Sequence, residues 1–274
     1  MARWVIGYSF AFALLAASAP AAVRIQSPTV SSPQVQVAPP MLRRAAPPSP
    51  TASVAELETR GDQLRADKAF LDALDYYHAA MAKKPDSAAL YVKVGITEIG
   101  LQRYREAGRE FERALKHDRR NAIAYNNLGV IEYLSGSYAR AIRDYQKAIV
   151  IDAGSASYFS NLGAAYFAKR EFDRASIAYS RALELDPDVF ERISRNGVQA
   201  QMSSPADRAH YDYVLAKLYA RMGVLDRSLQ CLRRAMEEGY AGIDNVYKDP
   251  EFSGLRNDAR FTELMASRPP TIPE

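Results

Sequence analysis

From Val54 to Pro187, small, apolar and polar residues alternate at helical spacing, and the whole pattern returns every 34 residues. Gly61, Gly95, Gly129 and Gly163 stand at one phase of the period, and Ala73, Ala107, Ala141 and Ala175 at a second. An aromatic follows four residues after each alanine, at Tyr77, Phe111, Tyr145 and Tyr179, and a second alanine three residues later, at Ala80, Ala114, Ala148 and Ala182. The i, i+4, i+7 spacing of that alanine-aromatic-alanine run makes one face of a helix. Each unit is therefore expected to fold as helix, turn, helix, with the glycine on the first helix and the run on the second. The small residues mark where helix backbones come closest. The space they leave suits Leu57, Tyr91, Tyr125 and Phe159 of the first helices and the rings of the second. Burying each ring stabilises the array by about 1.5–3 kcal/mol. Pro85 and Pro187 are placed to stop the second helices of the first and fourth units, where Arg119 and Ala153 stand in the other two.

Period and columns together resemble the tetratricopeptide repeat family, most plainly in AYNNLGVIEYLSGSYARAIRDYQKAIVIDA of the third unit and SYFSNLGAAYFAKREFDRASIAYSRALELDP of the fourth. The resemblance covers units 54–87, 88–121, 122–155 and 156–187, half the chain. It implies an all-α, right-handed superhelical solenoid whose first helices line a concave groove that holds a protein or an extended peptide. The family's ligand-facing positions fall on Glu58, Thr59, Asp62 and Arg65 in the first unit, and on Lys93, Ile96 and Ile99 in the second. They continue at Asn126, Asn127, Val130 and Tyr133 in the third and at Asn161, Ala164 and Phe167 in the fourth. Asn127 and Asn161 recur two residues before their glycines, and an amide can donate to and accept from a peptide backbone at once. Tyr133 and Phe167 are expected on the groove floor. Family members that grip a C-terminal carboxylate use basic residues where this chain has Glu58, Ile123 and Asn127, so that clamp is not expected.

After the fourth unit, residues 188–208 read as an inserted helical connection, with Asn196-Gly197 as a helix end and Ser204-Pro205 as the next start. A degenerate fifth unit at 209–240 keeps part of the spacing through Leu215, Ala216, Tyr219, Leu225, Ser228, Leu232 and Ala235, with Asp212 in place of the first-helix aromatic. The segment 241–274 reads as a cap, turning Phe252, Leu255, Phe261 and Leu264 inward to cover the last repeat.

The N-terminus differs in kind. Residues 1–21 have a basic start at Arg3, an apolar run and small residues at Ala19 and Ala21, which is the pattern of a secretory signal cut before Ala22. The run is also about long enough to cross a bilayer, which leaves an uncleaved membrane anchor as the alternative. Residues 22–53 hold seven prolines and no aromatic, the composition of a disordered linker. Arg3, Arg24, Arg43 and Arg44 meet no acidic residue before position 54 and carry the whole formal excess of +4, so the repeats offer no cationic field for nucleic acid. Cys231 is the only cysteine and the three histidines are scattered, so no metal or cofactor is expected. No nucleophile elbow or phosphate loop appears, and the tail is too short for a catalytic domain. The chain is expected to be an exported, non-enzymatic scaffold, periplasmic or in the cell envelope, that binds in its concave groove; the alternative is a fixed subunit of a cell-envelope assembly, such as secretion, pilus or outer-membrane machinery, docking through its outer surface. Its partner is a protein or peptide, and self-association is a further possibility.

Overall fold

The computed structural model describes residues 44–193 and 204–269; the signal segment, the linker up to residue 43 and the Asn196-Gly197 helix end lie outside them. The described residues form helices and short 3₁₀ turns, without a strand. Four helix pairs follow one another: α1 Val54–Ala66 with α2 Phe70–Lys83, α3 Ala88–Gly100 with α4 Tyr104–His117, α5 Ala122–Leu134 with α6 Tyr138–Ile151, and α7 Ala156–Ala168 with α8 Phe172–Leu185. A short α9, Val189–Ile193, precedes the fifth pair, α10 Pro205–Arg221 with α11 Leu225–Glu237.

First helices and second helices begin differently. Ser53, Ser87, Asn121 and Ser204 accept a backbone N–H of the first turn on their side chains, and Ser53 with Glu56 forms a complete capping box. The second helices begin without a side-chain cap, because the turn before them is closed by the backbone. In all five pairs the first helix ends on a left-handed residue: Lys68, Gln102, Gly136, Arg170 and Gly223, with φ between 60° and 76°. The next N–H returns to a carbonyl five residues back, as from Ala69 to Leu64 at 2.8 Å and from Val224 to Tyr219 at 2.9 Å. This Schellman geometry satisfies the helix's last carbonyls and turns the chain within three residues.

The columns of the period are the core. Ala73, Ala107, Ala141 and Ala175, their partners Ala80, Ala114, Ala148 and Ala182, and the four rings between them are all fully buried. The notch for each ring is the glycine of its own pair. A Cβ on Gly61 would stand 2.5 Å from the Tyr77 ring, on Gly95 2.6 Å from Phe111, on Gly129 2.6 Å from Tyr145, and on Gly163 2.5 Å from Tyr179. No side chain larger than hydrogen fits there while the ring stays. Of the first-helix residues expected to share this space, Leu57 is buried, whereas Tyr91, Tyr125 and Phe159 are half-buried at the edge of their pairs.

In the fifth pair the same spacing carries different residues. Ala216, Ser228, Leu232 and Ala235 take the places of glycine, alanine, ring and alanine, and all four are buried. The Ser228 hydroxyl donates to the Ala216 carbonyl at 2.8 Å, tying the two helices where a methyl group sits in the other pairs. Asp212, only 1% exposed, accepts both the Nε and an Nη of Arg234, at 3.0 and 2.8 Å. The boundary expected at 209 falls inside α10, which runs unbroken from its N-cap Ser204 and Pro205. Beyond α11, three 3₁₀ turns and α12, Ala259–Ser267, bury Val246, Phe252, Leu255, Phe261, Leu264 and Met265 against it and α10.

Residues 44–53, expected to belong to the disordered linker, lie along α2 instead. Arg44 pairs with Asp72 and Asp75, Tyr76 donates to the Ala46 carbonyl at 2.9 Å, and Lys83 Nζ donates to the carbonyls of Pro50 and Ala52 at 2.7 and 2.6 Å. The segment is held by its backbone carbonyls, which proline leaves free, and needs little apolar surface to be ordered.

Candidate functional site

The first helices of the second, third and fourth pairs abut in series, α3 on α5 and α5 on α7. Two polar contacts cross between neighbouring first helices. Lys93 on α3 reaches back to α1, bonding Asp62 at 2.7 Å and Glu58 at 3.0 Å. Asn161 on α7 donates from Nδ2 to Oδ1 of Asn126 on α5 at 2.9 Å. Both join residues on neighbouring first helices, so the row is stitched at these two places by side chains that the family resemblance puts in the groove.

At the α1 end the row is electrostatically closed. Burial alone would raise the Asp62 carboxyl, but hydrogen bonds from Lys93 and from the Tyr77 hydroxyl, the latter at 2.7 Å, outweigh it and hold the group below the usual carboxylate range. Lys93 shows the converse: burial lowers it, and its bonds to Asp62 and Glu58 raise it further. The Tyr77 hydroxyl is pushed up to about 12, by burial first and then by its bond to Asp62. Lys93 is thus a strut between two carboxylates, with its charge already spent.

The middle of the row is the open part. Ile96, Ile99, Asn127, Val130 and Asn161 are all half-buried there. Asn127 donates one amide hydrogen to the Ile123 carbonyl of its own helix at 2.8 Å. Asn161 spends one of its hydrogens on Asn126. Each of the two amides keeps its carbonyl oxygen and one N–H, so the donor-and-acceptor pair that a peptide backbone requires is still present. Asn126 itself is only 8% exposed and serves as the acceptor beneath Asn161.

Tyr133 and Phe167 are not an open floor. Tyr133 is 9% exposed, packed with Tyr138, and its hydroxyl is pushed up to about 12 by burial. Phe167 is 4% exposed under Phe172, Tyr211 and His210, with ring centroids 5.1, 5.9 and 5.4 Å away. The start of α6, in the same pair, covers Tyr133, and α10, from beyond the fourth pair, covers Phe167. Ala164, one turn before Phe167, is also buried. His210 and Phe172, with centroids 4.2 Å apart, close this end of the row, and nothing in the local repeat spacing pointed to His210. Cys231 is buried, and burial pushes its thiol up to about 12, which leaves it protonated and inert.

Two family models of the tetratricopeptide repeat match the chain, over residues 93–158 and 156–189. No curated protein matches it in sequence. Among solved structures it is similar to a MamA from Desulfovibrio magneticus RS-1, with 16% identity over 68% of this chain and 94% of that one and a TM-score of 0.48. It is similar to TTC0263, a thermophilic TPR protein of Thermus thermophilus, with 19% identity over 78% of this chain and 100% of that one, at 0.48. YrrB, described as a TPR protein with an unusual peptide-binding site, is 18% identical over 72% of this chain and 92% of that one, at 0.45. With matched repeats at 93–189 and glycine-and-ring pairs at one spacing from α1 to α8, the chain carries an array of tetratricopeptide repeats.

Proposed function

We propose that this chain is an exported scaffold that holds an extended segment of another protein along the middle of its first-helix row. The observation that supports this most is the pairing of unspent amide groups on Asn127 and Asn161 with the half-buried aliphatic side chains of Ile96 and Val130 on the same face. A main chain laid across them finds hydrogen-bond partners for its own N–H and C=O, while its side chains find apolar surface. Lys93, Tyr133 and Phe167 support the row from behind and are not counted among the contacts. Export rests on the signal pattern of residues 1–21, which places the repeats in the periplasm or on the envelope, or tethers them there if the segment stays uncut.

The test is co-purification from envelope extract, with partners identified by mass spectrometry, using the intact protein and Asn127→Ala/Asn161→Ala. Loss of partners with an unchanged helical circular dichroism signal is the expected result. Retention of the same partners at the same yield would move binding off this face.

A further inference from the structure

In the third and fourth pairs a shallow furrow runs between the start of the first helix and the second helix, apart from the residues of the proposed binding face. In the third pair this furrow, of about 440 Å³, runs between Arg119 and Arg120 of the preceding turn and Arg143 and Lys147 on α6. Tyr125, Ile151 and Val150 form its floor, and Val150 is 85% exposed, the most exposed of the large hydrophobic side chains. No carboxylate lines it. Lys147 pairs with Asp144 at 2.9 Å and lies 5.1 Å over the Tyr125 ring, but Arg119, Arg120 and Arg143 form no ion pair among the described residues. The nearby Asp118 carboxylate is held by the Arg120 backbone N–H at 2.9 Å.

The equivalent furrows are neutralised or filled. One period earlier, Arg109 and Arg113 each pair with a glutamate three residues before, Glu106 and Glu110, and His117 stacks on Tyr91 at 5.2 Å and covers the floor. One period later the positions of Arg119 and Arg120 are Ala153 and Gly154, that of Arg143 is Ile177, and Arg181 pairs with Glu184 at 2.9 Å in the place of Lys147 and Val150. In the third pair the residue three before Arg143 is Arg140, which is drawn away to Glu132 at 2.9 Å. Three unneutralised guanidinium groups around a bare aliphatic floor are thus peculiar to this repeat.

We infer that the furrow of the third pair docks an acidic segment of a partner protein, with carboxylates on Arg119, Arg120 and Arg143 and one apolar side chain on Val150, Ile151 and Tyr125. The guanidinium fork matches a carboxylate in two parallel bonds, and an apolar floor beside it selects a side chain that a sugar-phosphate backbone lacks. Charge complementarity here is local. Residues 54–274 are formally neutral, so a long polyanion finds no field beyond the furrow. Tyr125 apart, this surface takes nothing from the first helices, and it shares none of the contact residues of the function proposed above, so the inference stands apart from it.

Fluorescence anisotropy of the full chain with short synthetic peptides tests it, the probes carrying glutamates around a central Leu, Phe or Trp. At least one should bind more tightly than about 1 mM. Its counterpart with every glutamate replaced by glutamine, and its counterpart with alanine at the centre, should each bind about tenfold more weakly. Arg120→Glu/Arg143→Glu and, separately, Val150→Asp should cost about tenfold or more with helical signal and Tm unchanged. Asn127→Ala/Asn161→Ala should leave this affinity alone. Failure of all the acidic peptides to bind would overturn the inference, as would binding insensitive to both furrow variants. Competition by single-stranded DNA that survives Val150→Asp would show a simple anion patch and would overturn it equally.

Discussion

The first four helix pairs and the fifth solve one packing problem in two ways. In the four, a glycine on the first helix admits a ring from the second so closely that a methyl group at the glycine would overlap the ring. In the fifth the methyl group is present, as Ala216, and the ring has shrunk to Leu232, with both buried and the turn between the helices closed by the same backbone bonds. Glycine and ring are therefore one unit of volume divided between two helices. Changing either alone should be expensive, and changing both should not.

The strongest break of that comparison is Gly129→Ala. Overpacking against Tyr145 costs about 1–3 kcal/mol, from which the better helix propensity of alanine returns at most about 1, so a net loss of about 1–2 kcal/mol is expected in urea unfolding. Adding Tyr145→Leu should recover most of the loss by copying the fifth pair; a double variant no more stable than Gly129→Ala would show that the two positions are not coupled.

A smaller effect distinguishes the rings themselves. The Tyr77 hydroxyl donates to Asp62 and accepts from Arg65, while those of Tyr145 and Tyr179 are buried with no partner among the described residues. Tyr77→Phe should therefore lose about 1 kcal/mol or more and Tyr179→Phe gain about 1 kcal/mol, a reversal of sign at equivalent positions that thermal unfolding would read directly. Equal signs would mean that the hydroxyls have similar surroundings.

The smallest effect is one of pH, and it belongs to the fifth pair. Burial, and then the charge of Arg170, hold the His210 imidazole below its ordinary value of 6.5, while Asp207 acts weakly the other way. The unfolded chain then takes up the proton first. Stability contributed by neutral His210 is complete above the unfolded value and is lost as pH falls below it toward the lower folded value. His210→Phe should flatten the decline in Tm as the pH falls below about 6.5, and an unchanged decline would assign it to other groups.

The repeats were legible because their packing is local: a glycine and its ring lie 16 residues apart, on adjoining helices, and the spacing recurs. What escaped depends on contacts that the four recurring columns do not record. Tyr133 and Phe167 occupy groove-facing positions of the family, yet Tyr138 and the later α10 cover them, and no period announces a helix that arrives after an insertion. Lys93 was expected to face a ligand, yet Glu58 and Asp62 on the preceding first helix hold it. Residues 44–53 have the composition of a linker, but carbonyl oxygens hold them to Lys83 and Tyr76, and composition carries no record of carbonyls. The Asn127 and Asn161 amides were legible in position, though one of the two N–H groups of each is used within the fold.

The glycine and its ring sit inside a single pair and never straddle the seam to the next. Each pair thus carries its own fastening, and the contacts at the seams, such as Lys93 on Asp62 and Asn161 on Asn126, are separate from it. A gene encoding such a chain can gain or lose a whole cassette, for example residues 122–155, and still join α4 to a first helix of familiar outline. The length of the array, and with it the reach of whatever it holds, becomes adjustable in discrete steps by recombination, without any single lock having to be refitted.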